Sequence, residues 1–346
     1  MDKVRLGFVG VGYMGQNAHL KNYAALPDCE IAAIAEPRQQ TAELVARRYG
    51  VPHVYRDHRE MLAHEKLDAL VAAQPYRSHA ALLPELYASG LPLFTEKPLA
   101  LSVETGERLA ALAKRHGVKH MVGYHKRSDP AMEYARDLVS RWKAGGEFGQ
   151  MRLVRITMPP GDWVGGADMA LSAGDSAAGA QAEGDAPYFD SAAARQYDTF
   201  VNYYIHQINA MRFLLGEPYE VTYAEDTQVL LAARSASGVA GVIEMEPWAN
   251  SVDWMESCLV GFQKGFIRVD LPAPLASQSC GRVTVMEDRG GTPITWSPSL
   301  PPVHAMRNQA KNFLAMVRGE KEAPCYADEA AQDLAMATQY IRLLNR

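Results

Sequence analysis

The chain has 346 residues, 48% hydrophobic and 22% charged, which is an ordinary globular composition spread over more chain than one core usually organises. Two domains are therefore expected. The formal net charge is −5 and the lysines and arginines are scattered, so the expected partner is a small molecule, with no nucleic acid and no membrane.

The N-terminus, Met1-Asp2-Lys3-Val4-Arg5-Leu6-Gly7-Phe8-Val9, runs directly into a strand pattern without the apolar core and cleavage site of a secretory signal. No stretch approaches the roughly 20 apolar residues of a spanning helix. A cytoplasmic location is expected. Cys29, Cys258, Cys280 and Cys325 lie far apart, without metal-like spacing, and read as buried free thiols; no metal is expected.

Residues 4–9 form an apolar strand that ends in Gly10-Val11-Gly12-Tyr13-Met14-Gly15, after which a helix pattern continues to about Leu26. Gly10 permits the tight turn, Gly12 lets the backbone approach a pyrophosphate, and Gly15 lets the helix pack on the strand. The helix N-terminus then faces the phosphates. The next strand, Ile31-Ala32-Ala33-Ile34-Ala35, ends on Glu36, about 20 residues beyond Gly15, the spacing of a ribose-binding carboxylate. Such an acid bonds the ribose hydroxyls and repels a 2′-phosphate, which favours NAD over NADP. Arg38 keeps NADP as the alternative, because it offers a stacking surface for adenine or a partner for a phosphate.

The alternation continues with a helix at 39–49, a strand at 67–73, a helix at 78–89, a strand at 91–95, a helix at 102–116 and a strand at 120–123. A parallel, doubly wound sheet follows, giving an α/β Rossmann domain over 1–123. Residues 124–346 form a second, α+β domain. Its strand patterns at 151–158, 219–226, 227–235, 239–247, 254–262, 265–271 and 282–287, joined by short turns, predict a large, mainly antiparallel sheet.

The order of these motifs resembles the Gfo/Idh/MocA oxidoreductase family over nearly the whole chain. The resemblance is carried by Glu96-Lys97-Pro98 after the fifth strand, with Pro75-Tyr76-Arg77-Ser78-His79 before it and Gly123-Tyr124-His125-Lys126-Arg127 after it. It implies that Lys97 is the catalytic acid/base and that Pro98 holds its turn beside the nicotinamide. The chemistry is sound independently. A lysine at a strand's carboxyl end, partly desolvated and near a cationic ring, has its pKa lowered toward a useful value. A surface lysine in an ion pair is the alternative. On the cofactor side the resemblance adds Tyr13, Met14, Pro75, Glu96 and, peripherally, His79, which reads equally well as a structural histidine.

In the helix Asp198–Leu215, Asp198, Asn202 and His206 recur every four residues and share a face. Alone, such a stripe reads as solvated. The resemblance implies instead that His206 assists Lys97 and that Asn202, standing where the family usually has aspartate, orients a substrate hydroxyl. Tyr124, Lys126 and Arg127 are expected to shape the same pocket. Residues 161–198 form a long connection, predicted as a lid or oligomer arm whose Ala/Gly/Ser-rich middle reads as mobile. Trp163 and Tyr188 offer faces for a sugar ring, while Trp248 and Trp254 read as core rings.

The expected function is an NAD-dependent oxidation of a ring secondary alcohol on a sugar, glycoside or polyol, by a homo-oligomer, dimer or tetramer. Tyr203-Tyr204-Ile205-His206-Gln207 further resembles glycoside dehydrogenases that make 3-keto-sugars. A reductase of a keto-sugar, dihydrodiol or imine is the rival within the enzyme class, and a noncatalytic nucleotide-sensing protein the rival outside it.

Overall fold

The structure, a computed structural model, describes residues 3–177 and 181–346; Met1, Asp2 and residues 178–180 of the predicted arm lie outside it. The chain forms two compact units. The first comprises Met1–Tyr124, Ala167–Asp190 and Gln309–Leu334; the second comprises His125–Gly166, Ser191–Asn308 and Ala335–Arg346. The sequence-based division into 1–123 and 124–346 made one cut. In the structure the chain returns twice to the first unit, because buried side chains of 309–334 and polar groups of 167–190 are fastened there.

In the first unit, β1 (Val4–Val9), β2 (Cys29–Ala35), β3 (His53–Tyr55), β4 (Ala69–Ala72), β5 (Leu93–Glu96) and β6 (His120–Gly123) form a parallel sheet in the order β3-β2-β1-β4-β5-β6. These strands are apolar almost continuously because helices cover both faces of such a sheet. A π-helical segment, Gly15–Leu20, runs into α1 (Lys21–Ala24), followed by α2 (Gln39–Tyr49), α3 (His58–His64), α4 (His79–Tyr87) and α5 (Val103–Arg115). Tyr23 packs edge-on against Phe8 and Phe313 with ring centroids 5.6 and 6.3 Å apart, tying the sheet to the returning segment. Each such ring contributes roughly 1.5–3 kcal/mol by leaving water. Helix ends follow local chemistry: Ser102 accepts a hydrogen bond from the Thr105 amide at 3.2 Å to cap α5, and α2 closes on Gly50 at φ 68°.

In the second unit, β7 (Met151–Met158), β8 (Tyr219–Ala224), β9 (Leu230–Ser235), β10 (Ala240–Met245), β11 (Glu256–Phe262), β12 (Gly265–Leu271), β13 (Arg282–Glu287) and β14 (Ile294–Trp296) make an eight-stranded sheet in the order β14-β13-β12-β11-β7-β10-β9-β8. Every pairing is antiparallel except that of β7 with β10. Side chains of β11 and β12 alternate between buried and more exposed, the period of a sheet with one covered face. Helix α6 (Pro130–Gly145) starts with Asp129 accepting from the Ala131 amide at 2.8 Å and Pro130 in the first turn. Helix α7 is Ser191–Leu215; α8 (Ala305–Val317) passes into the first unit from Gln309, and α9 (Ala327–Leu344) begins in the first unit and ends in the second.

Several boundaries differ from the sequence reading. Helix α7 begins at Ser191, so Asp198 lies inside it and the connection after β7 ends eight residues earlier than the predicted 161–198. Strands β3 and β14, of three residues each, went unread because neither is long enough to show alternation. All four cysteines are free; three are buried and Cys280 is half-buried. Among the described residues no helix is long and apolar enough to cross a membrane.

Candidate functional site

The glycine turn after β1 is shaped by close packing on one side and open space on the other. Gly10 has φ +89°, and a Cβ there would stand 2.3 Å from Gln74 Nε2 and 3.1 Å from the Ala73 carbonyl oxygen. At Gly15 a Cβ would meet the Gly10 carbonyl oxygen at 3.0 Å. At Gly12 the nearest atom to such a Cβ is Arg38 Nη2, 4.0 Å away. The turn is thus tight where it must follow the strands and open where a pyrophosphate needs backbone approach, so the residues fit a dinucleotide. Tyr13 beside it is 37% exposed and Met14 half-buried.

Glu36, at the end of β2, is buried yet fully engaged. Its Oε2 accepts from the Val11 amide at 3.0 Å and Arg38 Nη2 at 2.9 Å; its Oε1 accepts from Arg38 Nε at 2.8 Å and the Arg38 amide at 3.2 Å. Burial pushes the carboxyl upward, but the Arg38 guanidinium and the two amides outweigh it and hold the pKa below its ordinary value. Arg38, expected to stack on adenine or to meet a phosphate, instead forks onto Glu36. An ionised carboxylate has about four acceptor positions, so ribose hydroxyls reach Glu36 only by sharing with Arg38.

At the end of β5, Glu96 Oε1 accepts from His19 Nε2 at 2.5 Å, and Glu96 Oε2 accepts from the Lys97 amide at 3.1 Å. Burial would raise this carboxyl. The His19 hydrogen bond and the charges of His19 and Lys97 prevail and lower it. The backbone of Lys97 is therefore tied to an anchored carboxylate, and the Lys97–Pro98 peptide bond is cis. Lys97 itself is half-buried. Sequence reasoning missed His19, 2% exposed and packed on Phe94, because one histidine in a glycine-turn helix carries no pattern of its own.

Pro75 is exposed and leads into a single 3-10 turn, Tyr76–Ser78. His79 is completely buried, its Nδ1 lies 3.0 Å from the Leu99 carbonyl oxygen, and burial lowers its pKa. Tyr124 is also buried. Tyr188, expected to cover a sugar ring, accepts a hydrogen bond from the Val103 amide at 3.3 Å and packs edge-on against Phe189.

In the second unit, His125, Lys126 and Arg127 occupy a buried 3-10 turn. Lys126 Nζ donates to Glu256 Oε2 at 2.5 Å; Gln207 Nε2 donates to Glu256 Oε1 at 2.7 Å, and Trp254 Nε1 donates to Oε2 at 3.3 Å. Lys126, expected as a substrate ligand, is thereby committed to a buried ion pair. Arg127 departs further from expectation: its Nε donates to Asn209 Oδ1 at 2.5 Å and its guanidinium lies 5.0 Å from the Phe213 ring centre. Sequence reasoning missed Glu256, since an acid at a strand's start carries no pattern, and met Gln207 only as the last residue of the Tyr203–Gln207 motif, with no role given to it.

Along α7, Asn202 is exposed and Asp198 and His206 half-buried, while the flanking Val201, Ile205 and Ile208 are buried. The predicted shared face is present. The His206 ring lies edge-on to His125 with centroids 4.6 Å apart. Trp163 is 38% exposed. Trp248, read as a core ring, is 48% exposed, and Trp254 is half-buried beside Lys126.

A doubly wound sheet with this glycine turn, an acid ending β2 and an anchored lysine ending β5 defines an oxidoreductase with an NAD-binding Rossmann domain. Residues 4–124 match the model of the Gfo/Idh/MocA family, described as an oxidoreductase family with an NAD-binding Rossmann fold, and this domain belongs to that family. It is 25% identical to the rhizopine catabolism protein MocA of Rhizobium meliloti over 100% of this chain and 96% of that protein. It is 23% identical to the myo-inositol 2-dehydrogenase of Thermotoga maritima over 70% of this chain and 68% of that one. Its fold matches a levoglucosan dehydrogenase, solved with NADH and levoglucosan, at a TM-score of 0.74 and 18% identity, covering 99% of this chain and 98% of that one.

Proposed function

We propose that this protein is an NAD-dependent dehydrogenase that oxidises a ring secondary alcohol of a sugar, glycoside or cyclic polyol to the ketone. The observation that carries the reading is Lys97 at the carboxyl end of β5, its backbone fastened to Glu96, in the same unit as the open glycine turn. Ligands of doubly wound sheets bind at the carboxyl ends of the strands. When bound, NAD supplies the hydride acceptor. Gly12 and the flanking turn hold the pyrophosphate, Glu36 holds the adenosine ribose, and Lys97 accepts the hydroxyl proton as the carbinol carbon loses hydride. His206 and Asn202 are assigned to the substrate by the family resemblance, with Trp163 as an apolar surface for the ring. The substrate class is supported by the levoglucosan and myo-inositol enzymes named above. The same reading makes the protein a cytoplasmic homo-oligomer.

The test offers NAD with glucosides deuterated singly at each ring carbon, and with deuterated myo-inositol, and follows the label into reduced cofactor. Transfer from a ring CH–OH carbon is expected. Transfer from none of them, alongside efficient oxidation of an amino acid or a dihydrodiol, overturns the reading.

A further inference from the structure

We propose that Asp175, carried on the segment between β7 and α7, is a specificity-determining residue that excludes the 2′-phosphate of NADP by occupying the N-terminus of α2. The inference rests on the dinucleotide reading of the glycine turn and deepens it.

Helix α2 starts three residues after Glu36, and its N-cap residue is Arg38, which supplies no capping oxygen. The cap is borrowed from Asp175. Its Oδ2 accepts from the Gln40 amide at 2.9 Å and the Thr41 amide at 3.3 Å, and its Oδ1 accepts from the Thr41 hydroxyl. Thr41 Oγ1 in turn accepts from the Ala173 amide at 3.0 Å. The segment is held next to the glycine turn as well. Gln16 exchanges two hydrogen bonds with the Leu171 backbone, at 2.8 and 3.0 Å, and Asn17 Nδ2 donates to the Asp168 carbonyl at 2.9 Å. Residues 168–175, within a stretch that composition marks as mobile, are therefore fixed by polar side chains against the starts of two helices.

The consequence is a matter of which donors remain. A 2′-phosphate in this fold is received beside the end of β2 by a nearby arginine, and helix N-terminal amides favour anions. Here the Arg38 guanidinium is forked onto Glu36, while the Gln40 and Thr41 amides of the first turn of α2 and the Thr41 hydroxyl are taken by Asp175. A dianionic phosphate arriving there meets two carboxylates. The ribose of NAD presents neutral hydroxyls that donate to Glu36, so the same arrangement tolerates it. Glu36 attracts the correct ligand and Asp175 supplies repulsion against the wrong one.

Calorimetric titration of NAD and of NADP into the wild type, Asp175→Ala and Asp175→Asn tests this, with the thermal midpoint of each variant as a fold control. The wild type is expected to bind NAD more tightly. Both variants are expected to narrow the NAD-to-NADP affinity ratio by about 10-fold or more, through gain of NADP binding with NAD affinity little changed. An unchanged ratio in both folded variants overturns the inference. If Asp175 only caps α2, Asp175→Ala lowers the midpoint, Asp175→Asn restores much of it, and the ratio stays fixed. A wild type that prefers NADP, or binds neither dinucleotide, overturns the underlying cofactor reading and this inference with it.

Discussion

Gly12→Ala and Gly10→Ala separate the cofactor role of the glycine turn from its folding role. The Gly12 Cβ meets nothing nearer than Arg38 Nη2 at 4.0 Å, and Gly12 is not among the residues with positive φ. Alanine there should change stability by less than about 0.5 kcal/mol, or raise it slightly by restricting the unfolded chain. The same methyl enters the space assigned to the pyrophosphate. Losing close backbone approach should weaken NAD by about 10- to 100-fold, which is roughly 1.4–2.8 kcal/mol. Gly10→Ala behaves in the opposite way. Its φ of +89° costs a side chain about 1–2 kcal/mol, and the new Cβ must displace Gln74 Nε2 from 2.3 Å. A lowered melting temperature is expected before any question of binding arises. Differential scanning calorimetry and titration calorimetry with NAD read the two effects separately. A folded Gly12→Ala protein that binds NAD like the wild type would refute the placement of the pyrophosphate.

Lys97→Ala should abolish turnover while leaving NAD affinity within a few-fold, and His206→Ala should slow turnover by about 10²–10⁴-fold if it assists proton transfer. Near-normal rates in steady-state assays would remove either residue from the mechanism. His120 makes a prediction about pH and stability. It is buried, its Nδ1 and Nε2 lie 2.8 Å from Tyr87 Oη and 2.9 Å from Thr95 Oγ1, and burial pushes its pKa down to about 3. An unfolded histidine titrates near 6.5, so the unfolded chain binds the proton first as pH falls. This group's contribution is complete above about pH 6.5 and is lost at roughly 1.4 kcal/mol per pH unit down to the folded value. Between pH 7 and pH 5 that amounts to about 2 kcal/mol. Urea unfolding of the wild type and His120→Gln should show a flatter profile for the variant, and parallel profiles would exclude His120 as a source of the slope.

What the sequence makes legible is what short spacing encodes. The glycine turn, the acid ending β2 and the lysine ending β5 each lie within a few residues of an apolar run whose period identifies its element, so their positions follow from local pattern. The partners of those residues do not. Arg38 stands two positions from Glu36, yet whether it reaches outward to a phosphate or folds back onto the carboxylate is a rotamer choice, decided by the buried acid's need for donors. Lys126 and Glu256 are 130 residues apart, and each alone reads as a solvated charge; only the sheet register that brings the start of β11 to the turn after β6 makes them a buried pair. The segment 167–190 shows the limit of composition most clearly. Alanine, glycine and serine dominate it, and its attachment depends on a few side chains, Asp175 at α2 and Glu183 at Ser102. Apolar periodicity is silent about a segment held by polar bonds. Such a segment can be altered at one charge without disturbing a core, which suits it to setting a preference between two cofactors that differ by one phosphate.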